Sequence, residues 1–304
     1  MARTVSWTET ATQDLELPPA LKLSGTRIDL MCEPMDQHDV YSVGYDVATT
    51  DFFRHRRAAS HAAFFLPYVR PNMTLLDCGC GPGTITLDFT DLVAPAVVVG
   101  VDIEPDQLRI AQTLATDGKK SDVRFAAADL YALPFPDCAF DAVFLHGVLE
   151  HLQAPVTALG EVRRVLKHGG VIGTRHADFG GFLLEPAEPP LDKFALLFER
   201  LMVRNGADPM AGRHQPRWLR EAGFSQAVAS ASYDCWTSTP DEARQNARFL
   251  AELVGRSAFA SQLIDAGLAD STTLTRMSDS FMAWGRHPHA FAAEAWGEAV
   301  AWKT

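Results

Sequence analysis

Seven consecutive residues, Asp77-Cys78-Gly79-Cys80-Gly81-Pro82-Gly83, constrain this chain more than any others. The apolar run Thr74-Leu75-Leu76-Asp77-Cys78 leads into them and reads as a short strand, and Thr84 to Leu92 follows with helical spacing. Glycines at alternate positions let the backbone turn sharply and approach a ligand closely, because no Cβ stands in the way. The helix that follows points its first amides at that ligand. Asp77, at the strand end, is placed to receive a positive group from it.

The same alternation continues downstream. Ala96 to Asp102 is apolar without alternation, as in a strand buried on both faces. Pro105 opens a helix that Asp106 to Thr116 continues. Val123–Ala127 is a third strand, Phe140–Leu145 a fourth and Val171–Arg175 a fifth; Pro155 to Leu166 forms a helix stopped by Gly169-Gly170. Strands alternating with helices predict an α/β fold, a parallel sheet covered on both faces. Upstream, residues 36–66 read as helical, and residues 1–24 as a polar arm. After Arg175, Gly180-Gly181, Pro186, Pro189 and Pro190 mark a loop, and Leu191 to Val203 is an amphipathic helix. Trp218 to Ala222 reads as a short helix, Ala227 to Tyr233 as a strand, and residues 240–287 as mostly helical. Phe291 to Trp302 fits either a helix or a strand pair. Segments inserted after the fifth strand lie at the carboxyl end of the sheet, where such folds bind ligands, so they are expected to form a lid. The expected division is an arm and cover over 1–60, a core over 61–176, and lid helices with the last strands over 177–304, all in one domain.

Hydrophobic residues make up 47% of the 304, too many for a disordered chain. Acidic residues outnumber basic ones by 38 to 27, for a net charge of −11, which argues against nucleic acid as a partner. No apolar run approaches the ~18–20 residues of a membrane helix, so no membrane partner is expected. Met1 to Asp14 is polar and acidic with no secretory pattern, pointing to a cytoplasmic protein. Five cysteines are too few and too scattered for a disulfide framework. Only Cys78 and Cys80 lie close together, with no second ligand pair, so no metal is expected.

The nicotinamide fingerprint is Gly-x-Gly-x-x-Gly; here the third glycine comes one residue early. No Lys or Arg sits in the glycine loop to hold phosphates. Asp102, ending the second strand, can accept both hydroxyls of a ribose. Asp129, after the third strand, can accept from an exocyclic amine such as that of adenine.

These residues resemble the motifs of the class I S-adenosylmethionine-dependent methyltransferases: the Asp-x-Gly-x-Gly-x-Gly run, Asp102 as the ribose acid and Asp129 on the adenine side. Phe140-Asp141-Ala142-Val143, Val148-Leu149-Glu150-His151 and Val165-Leu166-Lys167-His168-Gly169-Gly170 resemble the branch that includes the ubiquinone and menaquinone biosynthesis methyltransferases. The resemblance spans about residues 50–176 and departs at Cys78, where Val or Leu is more usual. It implies a Rossmann-like, seven-stranded, mostly parallel sheet with the last strand antiparallel, an N-terminal helical cover and an inserted helical lid. The implied cofactor is S-adenosyl-L-methionine. The residues implied to hold it are Tyr45, Arg56, Asp77, Gly79, Cys80, Gly81, Gly83, Asp102, Ile103, Gln107, Ala128, Asp129, Leu130 and His146; Arg56 reads either as pairing the cofactor carboxylate or, with Arg54 and Arg57, as a solvated helix face.

His146, His176 and Asp178 are the candidate catalytic side chains, the first after the fourth strand and the others after the fifth. A structural histidine is the competing reading for His146, helix contacts for His151 and a solvated loop for His214. The stripe Phe194, Leu197, Phe198, Leu201 reads as lid core with one or two members lining a pocket, and the tryptophans as packing residues. The expected reaction is methyl transfer by in-line displacement to a small hydrophobic or aromatic metabolite. Two other readings remain: a nicotinamide-dependent oxidoreductase, and a methyltransferase-fold protein acting as a non-methylating binding or cyclisation module. The N-terminal arm and the tryptophan-rich tail offer surfaces for a homo-oligomer.

Overall fold

The computed structural model describes residues 39–304. The arm expected over 1–24, and Cys32, lie outside the described residues. Strands β1 (Leu75–Cys78), β2 (Val98–Asp102), β3 (Val123–Ala127), β4 (Phe140–His146) and β5 (Leu166–Ala177) are the five parallel strands of the sheet. β6 (Leu183–Glu185), β7 (Ser225–Cys235) and β8 (Phe291–Trp302) complete it in the order β3-β2-β1-β4-β5-β8, with β8 antiparallel to β5, β6 and β7. The tail, open in the sequence between a helix and a strand pair, is one long strand. β8 has only two edges, and β7 pairs with it from Ala293 to Trp302. The short β6, ending on the same Ala293, therefore lies on the β5 edge and extends that strand past a turn. This is the seven-stranded arrangement expected, with an eighth three-residue strand added.

Both sheet faces are covered. On one, Leu76, Val101, Val143, Leu145 and Ile172 pack under α5 (Pro155–Val165) and α7 (Ala211–Glu221). On the other, Leu75, Val98, Ala142 and Phe144 pack under α2 (Ala58–His61), α3 (Thr84–Val93) and α4 (Pro105–Asp117). Alternating Cβ directions along each strand supply both apolar sets. In β8 the alternation is more extreme. Ala293, Ala295, Gly297, Ala299 and Ala301 form a small-residue face, and a Cβ on Gly297 would lie 2.0 Å from the Gly212 carbonyl of α7. Glu294, Trp296 and Glu298 project from the opposite face.

The lid is a third apolar cluster. It is built from α6 (Pro189–Arg204), α8 (Pro240–Arg256), α9 (Ala258–Asp265) and α10 (Ser271–Trp284), and Phe52 of α1 (Val47–Phe53) packs against it. No helix among the described residues is long and apolar enough to cross a membrane.

Several boundaries differ from those read in the sequence. Of the helical stretch expected over 36–66, the described residues form two short helices before a single turn at Leu66–Tyr68, because the apolar residues serve two layers: Phe52 packs on the lid, while Ala58, Ala62 and Phe65 pack under the sheet. The helix before the fifth strand ends at Val165, since Leu166 already pairs with Phe140. Pro189 and Pro190 open α6 where no amide donor is needed, instead of lying in a loop. α7 starts at Ala211, so His214 is a helical residue whose Nδ1 donates to Asp208 (2.6 Å).

Candidate active site

The strand order reverses between β1 and β4, and a cleft of about 1230 Å³ of empty space opens at the carboxyl ends of β1 to β4. Its floor is the glycine turn, where Gly79, Gly81 and Gly83 hold φ of +70°, +52° and +78°. These values lie in the left-handed region, open to glycine at little cost. The three have different reasons to be glycine. A Cβ on Gly79 would strike Val148 at 2.3 Å, and one on Gly83 would meet Ala111 at 2.7 Å and the Phe125 ring at 3.0 Å. One on Gly81 would meet nothing within 4 Å, because it points into the cleft. Gly83 therefore does not line the cleft; it lets α3 approach α4 and β3.

Two carboxylates border the turn. Thr86 Oγ1 donates to Asp77 Oδ2 at 2.6 Å, and burial lifts the Asp77 carboxyl to about 7. Asp102 Oδ2 accepts from the Gly81 amide at 2.8 Å, and Oδ1 from the Glu104 amide at 2.9 Å. Burial raises its pKa too, against the pull of those amides. Each Asp102 oxygen keeps a second lone pair for a ligand hydroxyl. Gln107 donates to Thr50 Oγ1 at 2.9 Å, and its Oε1 is buried in the cleft wall with no partner among the described residues. Tyr45, Arg56, Cys80, Ile103, Ala128, Asp129 and Leu130 also line this cleft, so thirteen of the fourteen residues expected around a cofactor meet there, Gly83 excepted.

The three catalytic candidates fare differently. His146 lines the cleft, but its Nδ1 donates to the Arg175 carbonyl at 3.2 Å and its Nε2 faces the Arg175 guanidinium at 3.5 Å. Burial, with Arg56, Arg175 and His61, keeps its pKa well below the ordinary value. A neutral ring tied at both nitrogens orders the wall, which is the structural reading. His176 lies under the wall and reaches neither cavity: its Nδ1 donates to Glu150 Oε2 at 2.8 Å. Burial pushes Glu150 up, but the pull of His176 prevails and holds it at about 2. Asp178 also stands outside both cavities, held by Arg213 through two contacts of 2.6 Å.

A second cavity, about 630 Å³ of empty space, shares Tyr41, Phe53, Arg56, Gly147 and His151 with the first. Phe52, Phe179, Phe182, Phe194, Phe198, Trp236, Phe249 and Trp296 line it, with Glu294 from β8. Phe194 and Phe198 are the stripe members that reach a pocket, while Leu197 and Leu201 stay in the lid core. Trp236 and Trp296, read as packing residues, are cavity walls. His151, read as a helix contact, lines both cavities from a single turn, its ring edge-on to Tyr41 at 4.6 Å. Glu294 is the residue the sequence reading missed. Its signal is one of two acids, with Glu298, on the Trp296 face of a strand that is otherwise alanine, glycine and large apolar residues.

Residues 76–173 match the family described as a methyltransferase domain. The chain is 32% identical over 264 residues to an uncharacterized methyltransferase of Schizosaccharomyces pombe, covering 84% of this chain and 92% of that one. It is 37% identical over 124 residues to the demethylmenaquinone methyltransferase of Thermus thermophilus, covering 41% of this chain and 52% of the other. The fold is similar to the crystal structure of the YcgJ protein from Bacillus subtilis, with a TM-score of 0.51 and 18% identity over 81% of this chain and 99% of that one. The chain therefore belongs to the methyltransferase family, as an S-adenosylmethionine-dependent enzyme.

Proposed function

We propose that this enzyme methylates a small hydrophobic or aromatic metabolite, with residues 61–176 holding the cofactor and the cover and lid enclosing the acceptor. The observation that carries this reading is the aromatic cavity that shares five wall residues with the glycine-floored cleft. The cleft's free acceptors suit a nucleoside: the remaining lone pairs of Asp102 face the place of ribose hydroxyls, and the orphan Gln107 Oε1 awaits a donor. The Asp77 carboxyl suits an amino group, while Arg56 lines both cavities.

The bound cofactor supplies a methyl group already activated on a sulfonium. What the chain contributes is orientation and the exclusion of water, the effects that dominate when the leaving group is good. Aromatic walls bury an apolar acceptor and leave few groups able to hold a polar one. His146 orders the cleft wall through its contacts with Arg175.

The test is transfer of a radiolabelled methyl group to a panel of acceptors. Aromatic and other apolar acceptors should be labelled, and amino acids and nucleosides should not; labelling of polar acceptors alone overturns the substrate class. Asp102→Ala should abolish both the labelling and the thermal shift given by S-adenosylhomocysteine, and an unchanged shift overturns the ribose assignment.

A further inference from the structure

We propose that Glu294 accepts the proton of an acidic hydroxyl, a phenol or an enol, presented by the methyl acceptor in the aromatic cavity. The inference rests on the substrate class proposed above and adds a reacting group to it.

Opposite the small-residue face of β8 stands a set of buried charges. Arg175 of β5 holds Asp234 of β7 at 2.7 Å and Glu298 of β8 at 3.5 Å, and its guanidinium lies over Trp296 at 4.3 Å. Glu150 is taken by His176. Glu294 is paired across the strands with Asp234, yet no hydrogen bond or ion pair reaches its carboxyl among the described residues. It is only 7% exposed, and it lines the aromatic cavity. A buried carboxyl without a partner is costly, and such groups persist where they have work to do. Burial raises Glu294 to about 8, Asp234 and Glu150 push the same way, and Arg56 and Arg175 oppose them.

The partner chemistry follows from Arg56. Its guanidinium lies over Phe53 at 4.2 Å and near Trp296 at 5.5 Å, forms no ion pair among the described residues, and lines the same cavity. A second cation there disfavours an ammonium acceptor and favours an oxygen that becomes negative. In the step, the O–H bond breaks and its electron pair stays on the acceptor oxygen. The proton passes to the Glu294 carboxylate, which becomes a neutral acid and returns the proton to water when product leaves. A base with a pKa near working pH is well matched to this task.

The other groups facing Glu294 do not confuse a titration near pH 8. Burial holds His61 of α2 neutral, at about 4, and lowers His146 and His151. Asp234 and Glu298 are paired with Arg175, and Glu150 is held at about 2. Asp77, at about 7, titrates in the cofactor cleft and is unchanged when Glu294 is replaced.

The test is binding of the fluorescent probe 2-naphthol to the full chain saturated with S-adenosylhomocysteine, from pH 6 to pH 8.5. A carboxylate accepts a stronger hydrogen bond than a carboxylic acid, so affinity should rise about tenfold across this range. Glu294→Gln should bind the probe with less than about twofold variation, and Glu294→Asp should restore the rise. An unchanged thermal shift with S-adenosylhomocysteine shows that both variants are folded. A flat profile in the natural protein, or the same rise in Glu294→Gln, overturns the proposal. If the probe binds none of the three while S-adenosylhomocysteine binds all, the aromatic substrate class itself fails, and Glu294 loses its role with it.

Discussion

Replacing Gly81 by alanine separates the fold from the site. At φ +52° an alanine costs about 1–2 kcal/mol of left-handed strain. The added carbon meets nothing within 4 Å, so packing adds no further cost. At ~2–4 °C per kcal/mol, Gly81→Ala should lower the melting temperature by only a few degrees. The same carbon enters the cleft where the cofactor must approach the turn. S-adenosylhomocysteine at about 100 times its Kd should stabilise the natural protein by about 2.7 kcal/mol, a shift of roughly 5–10 °C. Gly81→Ala should lose that shift. Gly83→Ala is the counterpart: the same strain, plus overpacking against Ala111 and Phe125 of about 1–3 kcal/mol, should give roughly 2–5 kcal/mol of destabilisation. Because Gly83 faces away from the cleft, what remains folded should still bind. Differential scanning fluorimetry with and without ligand reads all four quantities. A full ligand shift in Gly81→Ala would refute the placement of the cofactor over this turn.

Between pH 4 and pH 7 the unfolded chain has lost the Asp77 proton while the folded chain keeps it, so this group's contribution to stability falls as pH rises, by about 1.4 kcal/mol per unit. Asp77→Asn should therefore gain on the natural protein over that range in urea unfolding, and a constant difference would remove the buried acid from the account. Glu150→Gln breaks the buried pair with His176, and chemical denaturation should show a loss of about 3–5 kcal/mol; a loss under 1 kcal/mol would mean the pair does not hold the wall. Gly297→Ala places a methyl against the Gly212 carbonyl of α7, and unfolding should show a loss of more than about 3 kcal/mol unless α7 can shift.

The lining of the cleft was legible residue by residue. Asp77, Gly79, Gly81, Asp102 and Asp129 sit at strand ends, where short-range pattern alone says both that the strand stops and that the next helix begins. Gly83 belongs to the same run, but whether a glycine is there for a ligand or for a neighbouring helix depends on what lies opposite it, here Ala111 and Phe125. The sequence reading put both His176 and Asp178 after the fifth strand; Asp178 follows it, but His176 lies within it, paired with Gly297, and the two side chains turn to Glu150 and Arg213. Position along a strand says which end a residue occupies; it does not say which charged partner reaches it first.

Strand and helix order, the parallel half of the sheet, the family and the chemistry of the glycine turn follow from local periodicity and from motifs within about a hundred residues. These signals need no knowledge of distant contacts. The acceptor cavity is a different matter. Phe52, Phe182, Trp236, Phe249 and Glu294 come from the cover, the β5 extension, the segment after β7, α8 and the final strand, and none is near another in the chain except through folding. Their meeting is a consequence of β8 pairing between β5 and β7, which brings the tail back beside the cleft and turns Glu294 and Trp296 inward while the small residues face α7. Hydrophobic burial names the residues that must leave water, but only tertiary packing decides which of them enclose a space and which carboxyl is left in it without a partner among the described residues.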